Sequence, residues 1–290
     1  MTEPAPELGP DPGPDEGPLL GVRRGALGPS RVSRLLAVLA RHWWVYRSTI
    51  VANALPAFLE PILFLTAVGL GLGGYVEGGV NGLPLAAFMG PGALAMTAMF
   101  TAAFETSYGT FVRLAYQKTY DGMLATPLTP RDVFLGEVLW CGCKGAMFTA
   151  VVLGVYLVFG GFRGWWPHLQ PTLVLVPVVG FCCAMIFASL GLVVTAFIKN
   201  LNNFNFFITG ALTPMSLFSG MVFPVGDLPH GARELAYALP LFHVTELNRL
   251  LLFGPEHCVS FVWVTPIYVL VAVVSLTWIG TSTMERRIVL

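Results

Sequence analysis

The sequence predicts an all-α membrane protein with six transmembrane helices, and three observations carry that prediction. Of its 290 residues 55% are hydrophobic and only 11% charged, whereas a soluble domain needs about a quarter charged residues to cover its surface. Six stretches stay apolar over about the 20 residues that a helix needs to cross a bilayer core. Lys and Arg fall mostly on one side of those stretches, as the asymmetric loops of polytopic proteins require.

Residues 1–29 are expected to be a disordered tail. They are rich in Pro, Gly and acidic residues, a composition that buries too little apolar surface to fold. The absence of an early apolar run argues against a cleavable signal peptide. From residue 30 onward the chain reads as one membrane domain.

Residues 30–47 form an amphipathic helix. Val32, Leu35, Leu36, Leu39, Trp43 and Tyr46 recur at helical spacing, while Arg31, Arg34 and Arg41 lie on another face. Such a helix suits the membrane interface. The six predicted spans run from Ile50 to Gly74, Leu85 to Phe111, Val133 to Phe159, Thr172 to Ile198, Phe204 to Phe223 and Val259 to Thr281. Arg23, Arg24, Arg31, Arg34, Arg41, Arg47, Arg113, Lys118, Arg131, Lys199, Arg286 and Arg287 fall on one side of them, and Arg163, Arg233 and Arg249 on the other. Both termini are therefore expected in the cytoplasm.

Two connections stand out. Residues 114–132, LAYQKTYDGMLATPLTPRD, are short and dense on the cytoplasmic side; Pro127 and Pro130 predict a short helix before Pro127 and then a turn. Residues 224–257 hold two short amphipathic helices divided by Pro240 and closed by Gly254 and Pro255, neither able to span. They predict a re-entrant element that dips into the outer leaflet, which is tolerated where protein or a water-filled cavity covers it.

Four charged residues lie inside predicted spans. Glu60, near the middle of the first, shares a face with Asn53 and Pro56. A charge there costs at least about 2.5–3.5 kcal/mol, so it lines a pathway or holds the bundle by hydrogen bonds. Glu105, Glu137 and Lys144 are placed to form an inter-helix charge network near the cytoplasmic mouth. Gly69, Gly71 and Gly74 spell G-x-G-x-x-G, but no strand precedes them and close helix packing is the better reading. The five cysteines form no C-x-x-C pair and are read as small buried thiols, and the five scattered histidines offer no metal cluster. No P-loop, H-E-x-x-H or G-x-S-x-G occurs. No catalytic residue, metal or bound cofactor is expected, and a balance of 16 basic and 16 acidic residues gives no footing for nucleic acid.

Glu105 to Gly136, together with Phe223-Pro224, Leu228-Pro229, Pro240-Leu241, His243, Arg249 and Gly254, resembles the type-2 permeases of ATP-binding-cassette exporters. Glu60-Pro61 and the Gly-rich end of the first span resemble the subgroup exporting nodulation factors, which are lipo-oligosaccharides. The resemblance covers nearly all of the chain after residue 30. It implies that residues 30–47 are the connecting helix. Residues around Tyr116–Leu128 would dock on a separate ATPase, with Tyr116, Gln117, Lys118, Thr119, Tyr120 and Asp121 as the coupling surface. Pro224, Pro229, Pro240, His243 and Arg249 would shape re-entrant helices near the outer exit. It implies a homodimer in the bacterial inner membrane, two ATPase subunits that bind ATP and Mg, and a lipid-linked or acylated oligosaccharide as cargo. A hydrophobic drug or antibiotic is the alternative cargo. An intramembrane lipid-processing enzyme would need converging acids or histidines that no motif links, and a secondary transporter would need inverted repeats, which are not found.

Overall fold

The computed structural model describes residues 30–50, 59, 62–76, 78–165, 171–259 and 261–289. The expected tail, and residues 51–58 and 60–61 of the first predicted span, which include Asn53, Pro56 and Glu60, lie outside the described residues. Those described are nearly all helical, with no β-strand among them beyond one isolated bridge between Val80 and Leu83. The helices are α1 (Arg31–Arg47), α2 (Ile62–Leu72), α3 (Leu85–Tyr116), α4 (Thr119–Leu124), α5 (Pro130–Arg163), α6 (Pro171–Phe197), α7 (residues 204–221), α8 (His230–Ala238), α9 (Pro240–Phe253) and α10 (Val262–Ile288). Among the described residues four, α3, α5, α6 and α10, are long and apolar enough to cross a membrane. The fifth predicted span is α7, which alternates α and π turns and contains Gly220 at φ +77°.

α5 starts at a local cap. Thr129 and Asp132 form a reciprocal capping box, and Pro130 takes the first helical position. Its 34 residues make about 51 Å of helix, so it outruns the 30 Å hydrocarbon core. α3 is the central span. Its Ala95, Ala98, Met99, Ala102 and Ala103 share a core with Cys183, Ala184, Ile186, Phe187 and Ala188 of α6. Small residues on both faces let the backbones approach, the packing that membrane helices use in place of a hydrophobic driving force.

α1 packs on α5 by one side and leaves much of its apolar face free. Val38, His42 and Tyr46 are buried, whereas Val32, Leu36 and Trp43 remain exposed. The register follows from α5. A Cβ on Gly136 would stand 2.5 Å from Val38, so the glycine admits α1, and Arg34 pairs with Asp132 at 2.9 Å. Two expectations shift. Of Gly69, Gly71 and Gly74 only Gly69 sits at a close approach, against Phe159; a Cβ on the other two would meet nothing within 4 Å. Cys143 is exposed, and Cys182 and Cys258 are half-buried, so burial holds only for Cys141 and Cys183.

Candidate functional site

Beneath the 117–129 connection lies a buried polar node. Glu137 of α5 is fully buried and takes three partners: Arg113 Nη2 at 3.0 Å, Tyr120 Oη at 2.9 Å and His42 Nε2 at 3.2 Å. Arg113 also reaches Glu105 Oε1 at 2.9 Å, and Lys144 Nζ reaches Glu105 Oε2 at 2.8 Å. Two carboxylates thus face two permanent cations, which lets the cluster stay buried without a net charge. Such a cluster adds little net stability over apolar packing, but deleting one member strands a charge at about 3–5 kcal/mol. It therefore specifies one arrangement of the elements that supply it: α1, α3, α4 and α5.

Glu105, Glu137 and Lys144 do come together, as their positions on the sequence suggest. Arg113 and His42 complete the node and escaped sequence reasoning. Arg113 reads as a loop cation, but α3 continues to Tyr116 through π turns at Glu105–Gly109 and Val112–Tyr116. Eight residues on a regular α-helix leave Glu105 and Arg113 about 80° apart. The widened turns change that register, and the long Arg side chain reaches back toward the N-terminus. His42 stacks on Trp140, with ring centroids 5.7 Å apart.

The six residues expected at the coupling surface divide. Tyr116, Gln117, Lys118 and Asp121 are exposed and Thr119 is half-buried, but Tyr120 is buried. Tyr120 is the inward pin of α4 rather than part of its outer surface. Burial, and then the Glu137 carboxylate, push its phenol well above the ordinary value, so it stays a donor. Lys118 takes φ +47° and reverses the chain between α3 and α4. A cleft of about 570 Å³ separates α4 from α1, lined by Arg34, Ala37, Arg41, Met123 and Leu128 among others.

The 224–257 segment forms two helices, with Pro229 just before α8 and Pro240 at the first position of α9. Pro224 is extended and precedes a short 3₁₀ turn. His243 and Arg249 are buried. His243 Nε2 lies 2.9 Å from the Tyr237 carbonyl, and its ring stacks on Tyr268 at 3.8 Å. Arg249 pairs with Glu246.

A third feature joins α3 to α7. The outward residues of α3 include Thr97, Phe100, Thr101, Phe104 and Tyr108, and those of α7 include Asn205, Phe206, Thr209 and Thr213. Phe100, Phe104 and Tyr108 stack in series at 6.1 and 5.9 Å, Tyr108 meets Phe204 at 5.2 Å, and Tyr108 Oη donates to Asn205 Oδ1 at 2.8 Å. Hydroxyls and amides on an outward face are costly against lipid tails.

The sequence profile described as ABC-2 type transporter matches residues 33–253. Nodulation protein J of Sinorhizobium fredii (strain NBRC 101917 / NGR234) is 36% identical over 227 residues, covering 78% of this chain and 84% of that protein. Nodulation protein J of Rhizobium leguminosarum bv. viciae is 33% identical over 255 residues, 87% of this chain and 94% of that protein. Inner membrane transport permease YadH of Escherichia coli (strain K12) is 22% identical over 214 residues, 70% of this chain and 80% of that protein. With a profile match over most of its length and relatives above 30% identity along nearly their whole chains, this multi-pass membrane protein belongs to the ABC-2 type transporter family.

Proposed function

We propose that the chain is the membrane subunit of an exporter powered by a separate ATP-binding-cassette ATPase. Two copies and two ATPase subunits form the working complex in a bacterial inner membrane, with six spans per chain and both termini cytoplasmic. ATP and Mg are bound by the ATPase and none is needed in this chain. The observation that carries the reading is the Tyr120–Glu137 bond. It ties the exposed α4 turn to a carboxylate shared with α1 and α3, so a push on α4 reaches three other helices at once. Tyr116, Gln117, Lys118 and Asp121 form the docking surface. Such a device needs no chemistry in the chain, only two packings of the same helices.

The cargo in this reading is amphiphilic, a lipid-linked or acylated oligosaccharide. Two features support it: several relatives at 30–36% identity are named Nodulation protein J, and the α3–α7 stripe mixes stacked aromatic rings with hydroxyls and amides. Aromatic faces suit sugar rings and acyl chains, and hydroxyls suit sugar hydroxyls. Residues 224–257 lie at the outer exit.

The test is co-purification of the tagged chain with a co-expressed ATP-binding-cassette ATPase from the same genome, followed by ATP turnover with added glycolipids and, separately, hydrophobic drugs. A two-plus-two complex stimulated by one glycolipid class supports the reading. Stimulation by drugs alone replaces the cargo, and a chain that purifies without an ATPase removes the proposal.

A further inference from the structure

Glu246 and Arg249 form an ion pair one turn apart on α9, and both are at most 4% exposed. Their other contacts all reach different elements. Arg249 Nη2 donates to the Gly220 carbonyl at 2.8 Å, and its guanidinium lies 4.7 Å from the Phe88 ring centre. Glu246 Oε2 accepts the Val259 backbone N–H at 2.9 Å. Phe88 is in the first turn of α3, Gly220 ends α7, and Val259 leads into α10. One buried pair therefore gathers the ends of three helices onto α9. The φ of +77° at Gly220 is open to glycine and strained for other residues. A cleft of about 420 Å³, with Asn81, Asp227, Glu256 and His257 in its lining, opens onto the pair.

We propose that the Glu246–Arg249 pair is a clasp that holds the outer end of the transport pathway shut at rest and is released during each transport cycle, with Arg249 as its positioning residue. The proposal rests on the reading of residues 224–257 as the outer exit. A buried ion pair suits a two-state closure. It holds firmly while dry, because separating the charges in a low dielectric is costly. Once the helix ends part and water enters, both charges are solvated and the cost falls away.

Cys258 is a built-in reporter. Its Sγ lies 3.5 Å from the Gly254 carbonyl and 3.8 Å from that of Glu246, and it shares the cleft with the clasp. Burial pushes the thiol up to about 12, which leaves little thiolate to react at rest. The experiment treats spheroplasts carrying the chain and its ATPase with a membrane-impermeant maleimide, with C258S as background. Wild-type Cys258 is expected to label slowly under ATP depletion and faster during turnover. R249Q is expected to label at rest about tenfold faster; losing the Arg249 charge by itself would push the thiol further up and slow labelling, so the increase reports opening. The wild-type arm stands even if R249Q fails to reach the membrane. External labelling that neither turnover nor R249Q changes would overturn the clasp alone. Labelling that appears only after permeabilisation would overturn the outer placement of the segment, and the clasp with it.

Discussion

Tyr120 Oη donates to Glu137 Oε1 at 2.9 Å, pinning the turn between two spans to a carboxylate that has no exposed surface. Tyr120→Phe keeps the ring against Phe134 and removes that donor together with the oxygen that accepts from Arg113 Nε at 3.4 Å. A buried carboxylate left one hydrogen bond short costs about 1–3 kcal/mol, so the midpoint of thermal unfolding should fall by a few degrees. Arg113 and His42 still hold Glu137, so the fold should survive. The functional loss should be larger than the stability loss: ATP turnover of the complex persists while transport drops. Y120F with full transport would take the node out of the coupling route.

Pro91 interrupts α3 and has no N–H to donate to the Ala87 carbonyl. Tyr156 Oη of α5 supplies the missing donor at 2.7 Å, and its ring rests where Gly90 lacks a side chain. Tyr156→Phe should preserve that packing and leave the carbonyl unpaired in a dry core, at a cost of about 1–3 kcal/mol. Gly90→Ala should cost more, because its Cβ would stand 1.9 Å from the Tyr156 ring. Unfolding of the purified variants in one detergent ranks them. An unchanged midpoint in Y156F would mean that the Ala87 carbonyl finds another donor.

Features set by bilayer thickness were legible from the sequence: α3, α5, α6 and α10 follow from apolar length. The start of α5 was not, because Pro130 looked like the end of a turn, whereas it opens the helix behind the Thr129–Asp132 capping box. The coming together of Glu105, Glu137 and Lys144 was legible because buried charges must find partners. What escaped depends on tertiary contact. His42 looked like an interfacial histidine, since nothing local marks the side of α1 that Gly136 admits. Arg113 looked like a loop cation, because π turns leave no propensity signature that would carry α3 on to Tyr116. Tyr120 looked exposed for the same reason: its partner lies in the next helix. α7 was expected as an ordinary span, yet Asn205, Thr209, Thr213, Pro214 and Gly220 leave it less apolar and irregularly wound.

Lys118 combines an exposed charge with a left-handed backbone, φ +47°. The conformation costs a non-glycine residue about 1–2 kcal/mol. Lys118→Gly should therefore keep or slightly raise stability while deleting the charge, and Lys118→Glu should reverse the charge without relieving the strain. If Lys118 meets the ATPase, K118E should uncouple ATP hydrolysis from transport and K118G should weaken coupling less. Transport equal to wild type in K118E would remove Lys118 from the docking surface.

His243 sets the pH dependence of the segment between α8 and α10. Its Nε2 donates to the Tyr237 carbonyl, its ring lies on Tyr268, and its Nδ1 is buried without a partner. A second proton would place an unpaired charge there, and burial accordingly holds the imidazole below its ordinary value. The sign follows by linkage. Between the folded and unfolded values the unfolded chain binds more protons, so stability rises with pH across that window. The contribution is complete above about pH 6.5, the unfolded value, and is lost as pH falls through the folded one. His243→Phe keeps a flat ring on Tyr268 and cannot titrate. It should be less stable at neutral pH for want of the Tyr237 bond, yet lose less stability between pH 7.5 and pH 5. Equal losses in the two proteins, measured as unfolding midpoints at each pH, would mean that His243 carries the same charge folded and unfolded.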